Sequence, residues 1–219
     1  MRLKADLHLH TSNDTQETIG YSPKDLVDRA TRVGLDVLSI TEHDTVFNDK
    51  KVLRYARDKG ILLIPGVEKT IEKKHVLLIN VDRRAEKIQT FDQLRNMKAN
   101  DWLVVAPHPF FPKRSCLHWK LMRNIDLFDA VEYSFFYHDK LNFFNKRAVR
   151  VAEKNGLAVV GTSDCHHLAD LGRTYSLIDA EKSAGSIVKA VKEARVEVVS
   201  NPLSLSYISL RGLRSIVGY

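Results

Sequence analysis

The sequence predicts an α/β fold in which strands and helices alternate around a closed or nearly closed parallel barrel, and three observations predict it. Apolar runs of strand length alternate with helical patterns along the chain. Histidines and carboxylates recur just after those runs, where barrel enzymes place their chemistry, at the carboxyl ends of several strands at once. The length, residues 1–219, suits one such domain. A doubly wound open sheet shows the same local alternation, and the strand-end residues are what favour the barrel.

The first strand reads as residues 3–9. A helix over 23–33 follows, because Ser22 can cap it, Pro23 suits the first helical position, Asp25 faces the positive end of the dipole and Gly34 ends it. Residues 36–41 read as strand, 49–59 as helix, and 61–67 and 76–81 as strands. Then come a helix over 91–99, strands over 102–106 and 130–133, and a helix over 140–155 stopped by Gly156. The unbroken apolar run 157–160 is the kind of strand that is buried on both faces. A strand near 175–178 and a helix near 187–194 complete the pattern.

Hydrophobic residues make up 44% and charged residues 28%, too apolar for a disordered chain and too charged for a membrane span. The start, Met1-Arg2-Leu3-Lys4, shows no long apolar region, so the cytoplasm is the expected location and no membrane partner is expected. Cys116 and Cys165 lie far apart, which indicates neither a disulfide framework nor a thiolate zinc site. A net charge of +7 would attract anions, nucleic acid included, although solvated helix lysines give the same balance.

His8 and His10 lie two apart at the end of the first strand, so both side chains share a face. His43 follows the second strand and Glu68 the third, while His75 precedes the run Val76-Leu77-Leu78-Ile79. His108 stands between Pro107 and Pro109, whose rigid backbones would hold it, and Asp164 and His166 again lie two apart after an apolar run. Imidazoles and carboxylates without thiolates suit Zn, Mn or Fe in hydrolytic sites, and so many ligands imply two or three divalent ions. Such ions would generate hydroxide, orient an ester and neutralise charge developing on a phosphoryl group, services that phosphate-ester hydrolysis needs.

The blocks Asp6-Leu7-His8-Leu9-His10-Thr11, Thr41-Glu42-His43-Asp44-Thr45, Pro65-Gly66-Val67-Glu68, His75, Pro107-His108-Pro109 and Ser163-Asp164-Cys165-His166 occur in this order. With them the sequence resembles the PHP family, the polymerase and histidinol phosphatase domain, over nearly its whole length. The resemblance implies a distorted TIM-like barrel of seven β/α units holding up to three ions. By it, His8, His10 and Asp164 bind one ion, and Glu68, His75 and His108 a second, with Glu68 bridging. His43 and His166 hold a third with an early aspartate, for which Asp14 is the candidate. Glu42 and Cys165 depart from the aspartate and small residue usual at their positions, and neither is a ligand.

The activity implied is that of a metal-dependent phosphoesterase, phosphatase or exonuclease, with Glu68, His43 and His166 as catalytic residues. Its substrate would be a phosphorylated small molecule, a nucleotide, or a short RNA or DNA. Arg173, Lys113 and Arg114 are the loop cations placed to pair with a substrate phosphate. Phe110, Phe111, Trp119 and Phe135-Phe136-Tyr137 flank the same rim, where packing is favoured over base stacking. Glu132 could accept from a ligand imidazole, although a surface glutamate is the plainer expectation. Competing readings are a histidinol-phosphatase-like enzyme, a noncatalytic nucleic-acid-binding scaffold, and a hydrolase of carbon–nitrogen bonds; eight retained ligand-type residues argue against the scaffold.

Overall fold

Residues 1–208 are described by the computed structural model of the chain. In order they form β1 (Arg2–Leu9), α1 (Pro23–Val33), β2 (Val37–Ile40), α2 (Lys50–Asp58), β3 (Leu62–Leu63), β4 (Gly66–Ile71) and β5 (Lys74–Ile79). There follow α3 (Phe91–Met97), β6 (Leu103–Ala106), α4 (Trp119–Arg123), β7 (Ala130–Ser134), α5 (Phe143–Asn155), β8 (Ala158–Thr162), β9 (Thr174–Asp179), α6 (Ala184–Lys192) and β10 (Val196–Ser200). Helix α1 starts as its sequence dictates: Ser22 and Asp25 form a reciprocal capping box, and Gly34 ends the helix in the left-handed region at φ 73°.

The strands form two five-stranded mixed sheets, β10-β9-β1-β2-β3 and β4-β5-β6-β7-β8, and no closed ladder exists among the described residues. This corrects the parallel barrel expected from the alternation. Two local features account for it. Residues 61–67, read as one strand, break at Pro65, which has no amide to donate, so β3 and β4 fall in different sheets. Glu72 and Lys73 then both take positive φ (48° and 65°) and turn β4 antiparallel into β5, where a helix would be needed to keep strands parallel.

The sheets meet at two seams. At one, Gly161 of β8 donates to Ser176 Oγ of β9 and accepts from it at 2.9 and 3.0 Å, and Leu9 pairs singly with Cys165. At the other, single bridges join His43 to Glu68 and Phe47 to Gly66. A Cβ on Gly161 would lie 2.7 Å from the Tyr175 carbonyl oxygen. Gly161→Ala should therefore cost about 1–3 kcal/mol, read as a lower urea midpoint; an unchanged midpoint would show that the seam yields freely.

Between the sheets lies a core of Leu3, Ala5, Leu7, Val37, Leu77, Leu103, Val105, Ala130 and Val160, with Ile187 and Val191 of α6. The helices α1 and α2 cover the outer face of the first sheet over Leu9, Leu38 and Ile40. Leu7 and Leu9 thus lie in different cores, which simple alternation forbids. The cause is an extra residue in β1: Asp6 pairs with Leu38 but Leu9 with Ile40, a bulge that turns His8 and His10 from the helix side into the space between the sheets. Among the described residues no helix is long and apolar enough to cross a membrane.

Candidate metal centre

Glu68 stands at the centre of the site, buried, with one carboxylate oxygen for each half of it. Its Oε2 lies 3.3 Å from His8 Nε2, 3.3 Å from His10 Nε2 and 3.2 Å from His43 Nε2. Its Oε1 lies 2.7 Å from His75 Nδ1 and 3.4 Å from His108 Nε2. Asp164 Oδ1 approaches His8 Nε2 at 3.3 Å and His10 Nε2 at 3.5 Å. Each element brings its candidate ligand here for a local reason. His75 opens its strand instead of ending it, because β5 runs antiparallel and starts where the others finish. His108 and Asp164 take positive φ (29° and 44°), a region that histidine and aspartate enter more readily than most side chains.

The far nitrogens of these rings are already committed. His8 Nδ1 meets Glu132 Oε2 at 2.7 Å, and Glu132 is fully buried. His10 Nδ1 and His43 Nδ1 both meet Asp14 Oδ2, at 3.1 and 2.8 Å, and that oxygen also accepts from the His43 amide. Asp14 Oδ1 accepts from the Gln16 and Glu17 amides. A carboxylate on Nδ1 fixes a proton there, so each Nε2 presents a lone pair. His8 Nε2 and His10 Nε2 then face each other at 3.2 Å with carboxylate oxygens around them. Acceptors so crowded repel one another unless a proton or a cation sits among them, and this donor set fits a divalent ion.

The electrostatics follow the same logic. Burial works against charge on His8, but Asp164, Glu68 and Glu132 outweigh it and push the imidazole up to about 10. Burial likewise opposes ionisation of Glu68 and Asp164, yet the surrounding imidazoles hold both well below the usual carboxylate range. Beside the centre, burial pushes Asp6 up to about 7 against its hydrogen bonds from Ser163, and Glu42 up to about 7 against those from Thr11.

The ligand-type atoms group as His8–His10–Asp164, His8–Glu68–His108, His43–Glu68–His75 and His10–Asp14–His43, each trio able to hold an ion. Asp14 thus stands with His10 and His43. His166 is in none of the groups: its Nδ1 bonds the Asp164 carbonyl at 2.7 Å and its Nε2 pairs with Glu17. Glu17 gave no sequence signal, since nothing in Thr15-Gln16-Glu17 marks a ligand. Glu132 did give one, an acid at an apolar strand end, and the expectation of a surface residue underrated it: inward-facing Ala130 and outward-facing Val131 turn Glu132 inward. Lys113 and Arg114 are exposed on the His108 loop. Arg173 is engaged elsewhere, with Nε 3.5 Å from Asp170 and its guanidinium over the Tyr207 ring. Glu132→Gln should weaken metal binding about 10- to 100-fold, because it removes the charge that orients His8; unchanged metal content after dialysis would refute that role.

Such a centre, set between the sheets of an α/β fold, defines a metal-dependent protein of the hydrolase kind. The chain belongs to the PHP family: residues 6–119, over half its length, match the PHP domain, and residues 142–196 the PHP-associated family. An uncharacterised protein of Methanocaldococcus jannaschii is 24% identical over 62% of this chain and 84% of its own. A 5′-3′ exoribonuclease of Haemophilus influenzae is 33% identical over 45% of this chain, which spans only 36% of that enzyme. Two solved structures share the fold. A two-domain Bacteroides vulgatus protein containing a predicted PHP-like metal-dependent phosphoesterase has a TM-score of 0.66 at 21% identity, over 92% of this chain and 65% of its own. The lesion-specific endonuclease Q of Pyrococcus furiosus has a TM-score of 0.61 at 16% identity, over 90% of this chain and 58% of its own.

Proposed function

We propose that the chain is a metal-dependent phosphoesterase that hydrolyses phosphate esters of nucleotides, short oligonucleotides or small phosphomonoesters. The observation that carries this reading is the 3.2 Å approach of His8 Nε2 to His10 Nε2 among carboxylate oxygens, an arrangement of acceptors that calls for cations. Two ions would divide across Glu68: His8, His10 and Asp164 with Oε2, and His75 and His108 with Oε1. Mn, Zn or Fe suits these ligands, and would supply an activated water and neutralise charge on the phosphoryl oxygens. Both cysteines are buried and free, which accords with a reducing cytoplasm.

The chain's own groups have distinct tasks. Glu68 fixes the separation of the two halves. Glu132 and Asp14 hold His8, His10 and His43 in the tautomer that points a lone pair inward. His166, about a third exposed, pairs through Nε2 with Glu17 and would protonate the leaving oxygen from that nitrogen. A third ion on His166, as the family resemblance implies, would have to take the place that Glu17 holds. Lys113 and Arg114 bind the anionic substrate, while Arg173 holds the segment after Asp164 through Asp170.

The test is hydrolysis of p-nitrophenyl phosphate, nucleotide mono- and bisphosphates and a 5′-labelled short RNA, with Mn or Zn and with chelator. Chelator-sensitive phosphate release is expected, and a shortening ladder on RNA would make the enzyme an exonuclease. No turnover on any of them would refute the reading, and tight RNA binding without turnover would favour a scaffold.

A further inference from the structure

The loop from His108 to His118 leaves the metal centre and returns to it. His108 opens it, and near its end the Ser115 carbonyl accepts from the His75 amide at 2.8 Å. Between these anchors stand Phe111, Lys113 and Arg114. The Phe111 amide bonds the His108 carbonyl at 3.2 Å, which ties the Phe111 backbone to that candidate ligand. This ring meets Phe144 at the start of α5, with centroids 4.9 Å apart and a tilt of 39°. Phe110, the residue before Phe111 in the chain, is buried, with the Arg147 guanidinium 4.2 Å from its centroid.

Packing therefore explains Phe110 but not its neighbours. Phe144, which meets Phe111 of the His108 loop, is 38% exposed, and Phe143 70%. Lys74 Nζ bonds the Arg114 carbonyl and His118 the Lys113 carbonyl, so the loop backbone is fixed, while both cationic side chains are left to solvent. A rigid loop that carries an aromatic face and two uncommitted cations next to a metal ligand matches an alternating partner of flat bases and phosphates. A duplex hides its base faces, and a small phosphomonoester offers neither a base for the rings nor following phosphates for the cations.

We propose that Phe111 and Phe144 form a base-stacking shelf and Lys113 and Arg114 a phosphate clamp for a short single-stranded oligonucleotide whose phosphate ester lies at the metal centre. The proposal rests on the phosphoesterase reading and gives that site its substrate class. A base beside the reacting phosphate lies on the rings, and the following phosphates pair with the two cations.

Binding of fluorescein-labelled penta-adenylate, measured with chelator present, tests the shelf separately from turnover. Phe144→Ala should weaken binding about 5- to 100-fold, and Phe144→Trp, which keeps a stacking face, should restore it. The double change Lys113→Ala and Arg114→Ala should reduce the slope of log affinity against log salt by about 1.4, two phosphates at about 0.7 each. In kinetics, the ratio of kcat/KM for 5′-phosphorylated penta-adenylate to that for ribose 5-phosphate should fall in Phe144→Ala. Unchanged binding, or an equal loss on both substrates, would overturn the shelf even if the wild type hydrolyses both. Binding that depends on Phe144 without turnover of either substrate would uphold the shelf and remove the phosphoesterase reading.

Discussion

Asp164→Ala should lower kcat/KM for any phosphate ester by about 10³-fold or more, since the several kcal/mol of charge stabilisation at a metal centre convert to that factor. The side chain offers one oxygen to both His8 and His10, and among the described residues Glu68 is the other carboxylate that reaches that pair of Nε2 atoms. Loss of this charge leaves two imidazoles and a shared Glu68 to hold the first ion. The left-handed backbone at Asp164 makes alanine costly in itself, about 1 kcal/mol, so Asp164→Asn is the cleaner partner variant: asparagine tolerates that conformation and keeps the shape. In metal-free protein Asp164→Asn should unfold near the wild-type temperature and Asp164→Ala about 2–4 °C lower, while in both the metal content after loading, by elemental analysis, drops by at least one ion. Wild-type activity and metal content in both variants would refute the assignment of Asp164. His8→Ala should match the loss of activity but fold less well, because it also strands the buried Glu132 carboxylate.

The residues that the fold gathers into the candidate centre were legible because chemistry marks them locally: paired histidines two apart, a histidine between prolines, an acid after an apolar run. Their arrangement was less so. Periodicity places His8 and His10 on one face but does not say which, and the bulge between Asp6 and Leu9 decides it. The hairpin at Glu72–Lys73 lacks the Asn-Gly signal of such turns, so the antiparallel β5, and with it the reason His75 precedes its strand, left no trace. Strand β10 was missed because its residues Val196–Ser200 follow α6 without a glycine or proline to announce them. Partners are harder to read locally: Glu17 meets His166 across 149 positions and gave no signal, while Glu132, which could be read as an acceptor for a ligand imidazole, meets His8 across 124.

Metal affinity should rise steeply with pH, by about tenfold per unit for each proton expelled, because an entering ion takes the positions that protons otherwise fill. With Nδ1 of His8 tied to Glu132, a proton on Nε2 is the other way to relieve the crowded acceptors, and the carboxylates outweigh burial to push His8 up to about 10. His10 and His108 are raised well above the ordinary histidine value too, against burial, by Asp14 and by Cys116 and Glu68. Between pH 6 and 8 an ion must therefore displace at least the His8 proton, and calorimetry in buffers of different ionisation enthalpy should record that release. The sign for stability is set by the same shift. The folded protein holds the His8 proton more tightly than the unfolded chain, so this contribution is fully present below the ordinary value near 6.5 and is lost as pH rises through about 10. Metal-free protein should thus melt at a lower temperature at pH 9 than at pH 7, whereas metal-loaded protein, whose ions bind more tightly at pH 9, should not. Equal melting trends with and without chelator would mean that protons and ions do not compete for these nitrogens, and the centre would then not be the one its geometry describes.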